Sequence, residues 1–523
     1  MAGFDVVEAS IADLAAAMAA GNVTSAALVE AYQARVAAVD QAGPALRSVI
    51  SLNPHAGDAA RAMDAERQAG RLRGPLHGAP LLVKDNIETA DGIATTAGSL
   101  ALQDNVTGRD APLVRRLRDA GAVILGKTNL SEWANFRSAH SISGWSAIGG
   151  LVKNPYALDR SVAGSSSGTG AAIAASLAAA GVGTETDGSV TAPASLCGLV
   201  GLKPTLGLVS RTHIVPISHS QDTAGPMARS VADAALLLTA MAGADPADPA
   251  TAEADARRTD YTAALAGATL QGKRLGVLTY ACARFVPGVD MVFAGALELL
   301  RRAGAEVVEL ADYKPPEDLG RHEHAVLLTD FKADLNAYLA TTPATVRTRS
   351  LAELIAFNRA SPRELALFGQ DLFEAAEATT GLDDPAYLAA RAAGLAAAGA
   401  DGIDRLSAEH RLDALIAPSY GPAWRIDVAA GDHGSGRISG LAAIAGCPHL
   451  TVPMGRVRGL PVGLSFVGPA WSDAAMLALG HAFEAVAQAR RPPTYQTSLE
   501  ADADFEAAAA PLAAAASDHL QAS

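Results

Sequence analysis

The sequence predicts an α/β fold with a largely buried sheet, and three observations carry that prediction. From residue 79 onward, short apolar runs at 79–83, 122–125, 275–278, 307–310, 415–417, 450–452 and 462–466 alternate with helix-like stretches at 113–120, 171–180 and 231–241. Half of the 523 residues are hydrophobic and only 18% are charged, so the chain has enough apolar surface to bury a sheet on both faces. Gly, Ser and Lys are concentrated at the ends of strand-like runs and the starts of helix-like ones, where α/β sheets place reactive groups.

Taken in order, the first 70 residues read as helices. Ser10 is placed to cap a helix with Ile11, Leu14 and Met18 on one face, and Gly21 stands where that helix should stop. Thr24 can cap the next, whose stripe is Leu28, Tyr32, Val36 and Val39. The alternating region follows. Residues 243–260, rich in Ala, Asp and Pro, read as a surface connection, and 318–410, without clear strands, as a helical insertion. From 501 to 523 the chain is an Ala-rich tail of low complexity. No repeat of fixed period is present. One compact domain spanning 1–500 is expected, because the segments with chemical character come from both ends of it.

Composition excludes several classes. With 41 Lys and Arg against 55 Asp and Glu, the net charge of −14 argues against broad contact with nucleic-acid phosphates. No apolar run reaches the roughly 18–20 residues of a membrane span. The N-terminus MAGFDVVEAS has neither a basic nor an apolar leader region, so the chain as it stands reads as cytoplasmic, or as secreted if a leader was removed. The three cysteines, Cys197, Cys282 and Cys447, lack disulfide or zinc spacing. His322 and His324 flank Glu323 without the i, i+4 spacing of a zinc helix, so no metal and no cofactor is expected.

Three segments carry chemistry. GAPLLVKDN ends a strand-like run on Lys84, AGSSSGTGAA opens a helix with a Ser/Gly loop, and GTETDGSVTAPA places Ser189 after a Gly-containing turn. Alone, each has a plainer reading: an exposed strand-end lysine, a helix cap, an ordinary turn. Together and in this order the chain resembles the amidase-signature hydrolases. Their GGSSGGSAA, GTDTGGS and CGxxGLKPT patterns correspond to AGSSSGTGA at 163–171, GTETDGS at 183–189 and CGLVGLKPT at 197–205. The 24-residue separation of Ser165 and Ser189 is that of the family's two catalytic serines. VKDN around Lys84, DTAGPMARSVAD at 222–233 and PVGLSFVG at 461–468 extend the match over nearly the whole chain, with its signature core at 75–235. GSSSG, GTETDGS and GKTNLSEWANFRS at 126–138 look similar to bacterial peptide amidases, which remove ammonia from C-terminally amidated peptides.

The resemblance implies a three-layer α/β/α fold around a mixed sheet. It implies a Ser-Ser-Lys triad in which Ser189 attacks, Ser165 relays a proton and Lys84 is the base. It also implies a cis Gly164–Ser165 bond and an oxyanion hole of backbone N–H groups from Thr186, Asp187, Gly188 and Ser189. A lysine with its ordinary pKa of about 10.4 is almost never neutral near pH 7, so the base requires burial of Lys84. Ser166 is expected to support this network, and Trp133 and Phe136 are candidates for the acyl pocket. The expected partner is a small-molecule or peptide amide, without nucleic acid or membrane.

Two departures bear on substrate. Asp187 replaces a glycine common in the family and is available to orient a substrate amine or amide. Thr191 stands where many members carry Arg, which weakens the case for a small substrate with a free carboxylate. Three competing readings remain. GSSSG at 164–168 also fits the nucleophile elbow centred on Ser166, but KNPYALDRSVA before it is polar and contains proline where that motif needs a strand. The amidotransferase component that works on charged transfer RNA conflicts with the net charge, and a non-catalytic scaffold conflicts with the joint presence of Lys84, Ser165 and Ser189. Within the family, acylamidase, carbamate and ester hydrolysis stay open, because the loops that shape the pocket, 318–410 and 424–440, cannot be read for shape.

Overall fold

The computed structural model describes residues 4–282 and 284–501, so the expected Ala-rich tail lies outside the described residues from 502 onward. Its N-terminal helices follow from their caps. Ser10 accepts the Asp13 N–H at 3.1 Å while the Asp13 carboxylate accepts the Ser10 N–H at 2.9 Å, which starts the helix Ile11–Ala19 and buries Ile11, Leu14 and Met18. Thr24 accepts the Ala27 N–H at 3.1 Å and starts Ser25–Arg35. A short strand, β1 (Val49–Leu52), then interrupts the expected run of helices before Ala56–Gln68. Its VISL is half-buried at every position, so it shows neither alternation nor a fully apolar run.

The remaining strands are β2 (Pro80–Lys84), β3 (Val123–Thr128), β4 (Trp145–Ser146), β5 (Gly150–Leu151), β6 (Ala180–Glu185) and β7 (Val200–Lys203). After them come β8 (Thr223–Ala228), β9 (Arg274–Val277), β10 (Glu306–Glu309), β11 (Ala414–Pro418), β12 (His449–Val457) and β13 (Leu460–Val467). Eleven of them form one mixed sheet in the order β1-β3-β2-β6-β8-β7-β12-β13-β11-β9-β10, the middle of a three-layer α/β/α arrangement, while β4 and β5 pair apart from it. The seven apolar runs expected as strands all appear in the sheet. β6, β7 and β8 carry Gly, Thr and Pro (AGVGTE, VGLK, TAGPMA) and were not legible as apolar runs, yet every residue in them is buried.

Their glycines have a packing reason. A Cβ on Gly181 would press on Thr169 and Ile173, and one on Gly183 on Ser166 and Met227. The helix Ser167–Ala174, buried throughout, therefore lies almost directly on β6. The helix expected over 171–180 accordingly starts earlier and stops at Ala174. Ser176, at φ 55°, turns the chain, and β6 begins at Ala180. β2 runs parallel to β6 and is bonded directly to it, so the C-terminal ends of the two strands lie side by side.

Segment 318–410 is helical: Leu319–Ala340, Leu351–Ala360, Asp371–Glu377 and Pro385–Leu395 lead into a π-helical stretch, Ala396–Asp404, and Arg405–His410. A buried ion cluster fastens it to the core. The Arg137 guanidinium, fully buried, lies 2.9 Å from Glu132 and 3.5 Å from Glu364, donates to the Glu364 carbonyl, and sits over the Phe368 ring at 4.1 Å. Removing one member of a buried ion pair strands the other in a medium of low polarity. Arg137→Ala is therefore expected to destabilise the fold by about 3–5 kcal/mol, read as a lowered midpoint in urea unfolding.

Candidate active site

Lys84 is the last residue of β2 and is fully buried. Its Nζ lies 2.8 Å from Ser165 Oγ, 2.8 Å from Thr184 Oγ1 and 3.2 Å from the Thr184 carbonyl oxygen. Asn86 Nδ2 donates to the same Thr184 hydroxyl at 3.0 Å. Burial pulls Lys84 down to about 7, against a smaller opposing pull from Asp222 and Glu185. The pocket thus selects an amine that can be neutral near neutral pH.

Ser165 follows a cis Gly164–Ser165 peptide bond, and its carbonyl accepts the Ser131 N–H at 3.0 Å. Ser166 is tied to backbone on both sides. Its N–H donates to the Ser189 carbonyl at 3.1 Å, and its Oγ donates to the Thr184 carbonyl at 3.1 Å and accepts the Thr184 N–H at 3.2 Å. No strand precedes it, so the elbow geometry is not formed.

After β6 the chain makes a turn through Thr186, Asp187 and Gly188 to Ser189, whose residue exposure is 8%. Gly188 has φ 85°, and a Cβ there would run into the Tyr420 hydroxyl, so only glycine fits. Glu185 caps the following short helix Thr191–Leu196 from below, accepting the N–H groups of Val190 at 2.7 Å and Thr191 at 2.9 Å. Among the described residues, no backbone or side-chain group accepts from the N–H groups of Asp187, Gly188 or Ser189. They are free to donate to a developing oxyanion.

Ser189, the turn and Gly164 line a cleft of about 630 Å³. Its further walls come from Ala134–Phe136, from the insertion helix Leu319–Ala340 and from the loop around 420–437. Phe136 is in this wall, packed on Phe331 at a centroid separation of 5.0 Å. Trp133 is not; it belongs to a packed cluster beside the cleft, edge-on to Phe373 at 5.8 Å. Of the two histidines that flank Glu323, His324 lines the cleft while His322 lies 3.2 Å from Asp318.

The Asp187 carboxylate is nine-tenths buried in the cleft wall, 3.5 Å from Arg437, with its second oxygen unpartnered. Glu323 lines the same cleft, and burial followed by repulsion from Asp187 pushes it up to about 8. Sequence reading missed Glu323, Arg437 and Asn135. Asn135, at φ 71°, donates to Ser143 Oγ at 3.1 Å and keeps a buried carbonyl oxygen without a partner, an acceptor suited to a carboxamide N–H. The WANF string next to GKTN, which supplied Trp133 and Phe136, contained it.

Comparison with known proteins gives the family. The Amidase family model matches residues 27–477. A probable amidase of Arabidopsis thaliana is 39% identical over 505 residues, covering 94% of this chain and 92% of that protein. The structure of native peptide amidase from Stenotrophomonas maltophilia superimposes with a TM-score of 0.87 at 53% identity, over 93% of this chain and 99% of that one. A glutamyl-tRNA(Gln) amidotransferase polypeptide of Chloroflexus aurantiacus is 35% identical over 90% of this chain and 94% of that protein. This chain belongs to the amidase family and is an amide hydrolase.

Proposed function

We propose that Ser189 is the nucleophile, that Ser165 passes its proton to Lys84, and that the substrate is a peptide C-terminal amide or a related carboxamide. The hydrogen bonding of Lys84 carries the reading. A neutral amine has two N–H donors and one lone pair, and its three neighbours divide accordingly: the Thr184 carbonyl and hydroxyl oxygens accept, and the Ser165 hydroxyl can donate to the lone pair.

In the acylation step the Ser189 oxygen bonds to the amide carbon as its proton moves to Ser165 and the Ser165 proton moves to Lys84. The N–H groups of the Thr186–Ser189 turn hold the oxyanion. The C–N bond then breaks as Lys84 returns its proton through Ser165 to the leaving nitrogen, which departs as ammonia. Water attacks the acyl-enzyme along the same relay, releasing the carboxylic acid and restoring Ser189.

The substrate class is supported by the 53% identity to a peptide amidase, by a cleft open enough for a peptide, and by Thr191, buried against Glu185 where a carboxylate-binding Arg would otherwise stand. The test is an ammonia-release screen across peptide amides, short aliphatic amides and anilides with an ester control. Peptide amides are expected to give the highest kcat/KM. Faster turnover of anilides, carbamates or esters would overturn the substrate and leave the triad standing.

A further inference from the structure

The segment 217–222, between the cleft wall and β8, touches no reacting atom, yet it grips the turn that precedes Ser189. Asp222 Oδ1 accepts the Thr186 hydroxyl at 2.5 Å, while its Oδ2 accepts the N–H groups of Ile217 at 2.7 Å and Ser218 at 3.0 Å. Gln221 Nε2 donates to the Thr186 carbonyl at 3.3 Å. Thr186 is thereby held by both its side chain and its main chain.

The segment is itself fastened to one helix of the insertion. Ser218 Oγ donates to Asp330 at 2.6 Å, the His219 N–H to Asp334 at 2.6 Å, and Gln221 to Glu323 at 3.0 Å. These three acids lie on Leu319–Ala340. Asp222 also lines a second cavity of about 360 Å³, which shares Ala134, Thr186 and Ile217 with the cleft and reaches Asn86 and Thr184, the hydroxyl of the latter being bonded to Lys84.

We propose that Asp222 is a positioning residue for amide hydrolysis, holding the oxyanion turn through Thr186 and setting the electrostatic environment of Lys84 from the cavity it shares with Thr184, whose hydroxyl partners the Lys84 amine. The second half rests on the reading of Lys84 as base; the first does not.

The charges around the two groups are few. Lys84 is influenced first by Asp222 and then by Glu185 at the end of β6. Around Asp222 stand Asp334 on the insertion helix and Arg211, which is bound to Asp248, with His219 held by Asp334. Withdrawal from water pushes Asp222 up to about 6, so it is ionised where Lys84 titrates, near 7. A carboxylate there favours the charged amine. Its removal must lower the pKa of Lys84 and move the rising limb of the pH–rate profile to lower pH.

The experiment compares Asp222→Asn, Thr186→Val and Thr186→Ser with the wild type, each as a pH profile of kcat and KM on one peptide amide. Asp222→Asn should lose roughly 10- to 100-fold in kcat, the scale of one hydrogen bond to a charged group, with KM within about threefold. Its limb should move down by about one pH unit. Thr186→Val should lose kcat to a similar extent with a smaller downward movement of the limb, because it also takes a hydrogen bond from the Asp222 carboxylate, and Thr186→Ser should restore both. An Asp222→Asn limb at the wild-type position would overturn the electrostatic role, and a fully active Thr186→Val the positioning role. Should Asp222→Asn not fold, the Thr186 pair decides the positioning role, and Asp222→Ser, which deletes the same charge with a smaller side chain, decides the electrostatic role by the same limb. Absence of any limb in the wild type would instead overturn Lys84 as base.

Discussion

Ser189→Ala is expected to remove turnover almost completely, lowering kcat on a peptide amide by at least about 10⁴-fold. The substitution deletes the attacking atom and leaves the turn intact, since the Ser189 carbonyl still accepts from Ser166 and the Gly188 carbonyl from Ala192. KM should therefore stay near its wild-type value. Ser166→Ala makes the contrast. Its hydroxyl makes two bonds, both to Thr184 main chain, and each neutral hydrogen bond of this kind contributes about 1 kcal/mol, so roughly a thirtieth of the activity should survive. A fluorophosphonate probe should label Ser189 in the wild type, detected by peptide mass analysis. Labelling at Ser166 would refute the assignment.

Lys84 gives the second large effect. With its amine at about 7, kcat/KM should rise tenfold per pH unit below that value and level off above it, because the active species is the deprotonated one. Lys84→Ala should cost amide hydrolysis roughly 10³-fold or more, since an amine leaves poorly without a returned proton. A matched ester should lose less, because an alkoxide needs less help to leave. Lys84→Arg should not rescue, as guanidinium stays charged at any working pH. Equal losses on both substrates, or an active arginine variant, would sink the base while leaving Ser189 in place.

The candidate site was legible because it uses unusual residues in a fixed order. A lysine at the end of an apolar run, a serine loop opening a buried helix, and a glycine where φ must be positive each leave a local mark. Apolar strands were legible for the same reason. What escaped was set by contacts distant in sequence. β6 to β8 are buried through glycine and close helix packing, so they lack the apolar content that marks a strand. Glu323 and Arg437 meet Asp187 across the cleft from different parts of the chain, and no local pattern ties an acid on an insertion helix to the turn before Ser189. The unpartnered Asn135 oxygen is visible only once its neighbours are in place.

Lys84, Ser165, Thr184 and Ser189 lie between residues 84 and 189, on β2, on β6 with the turn after it, and in the loop that opens the helix Ser167–Ala174, whereas the outer wall of the cleft is supplied by 320–327 and 420–437. The outer wall is therefore written in stretches of the gene separate from the one that carries the proposed relay, whereas Asn135, Phe136 and Asp187 of the inner wall share the relay's stretch. On the proposed mechanism, changes confined to the later stretches should alter which amide is accepted without rebuilding the relay. The exception is the strap at 217–222, whose contacts with Asp330 and Asp334 tie the insertion helix back to the turn. A transplanted wall should carry its selectivity with it when those two carboxylates are kept, and should slow the chemistry when they are not.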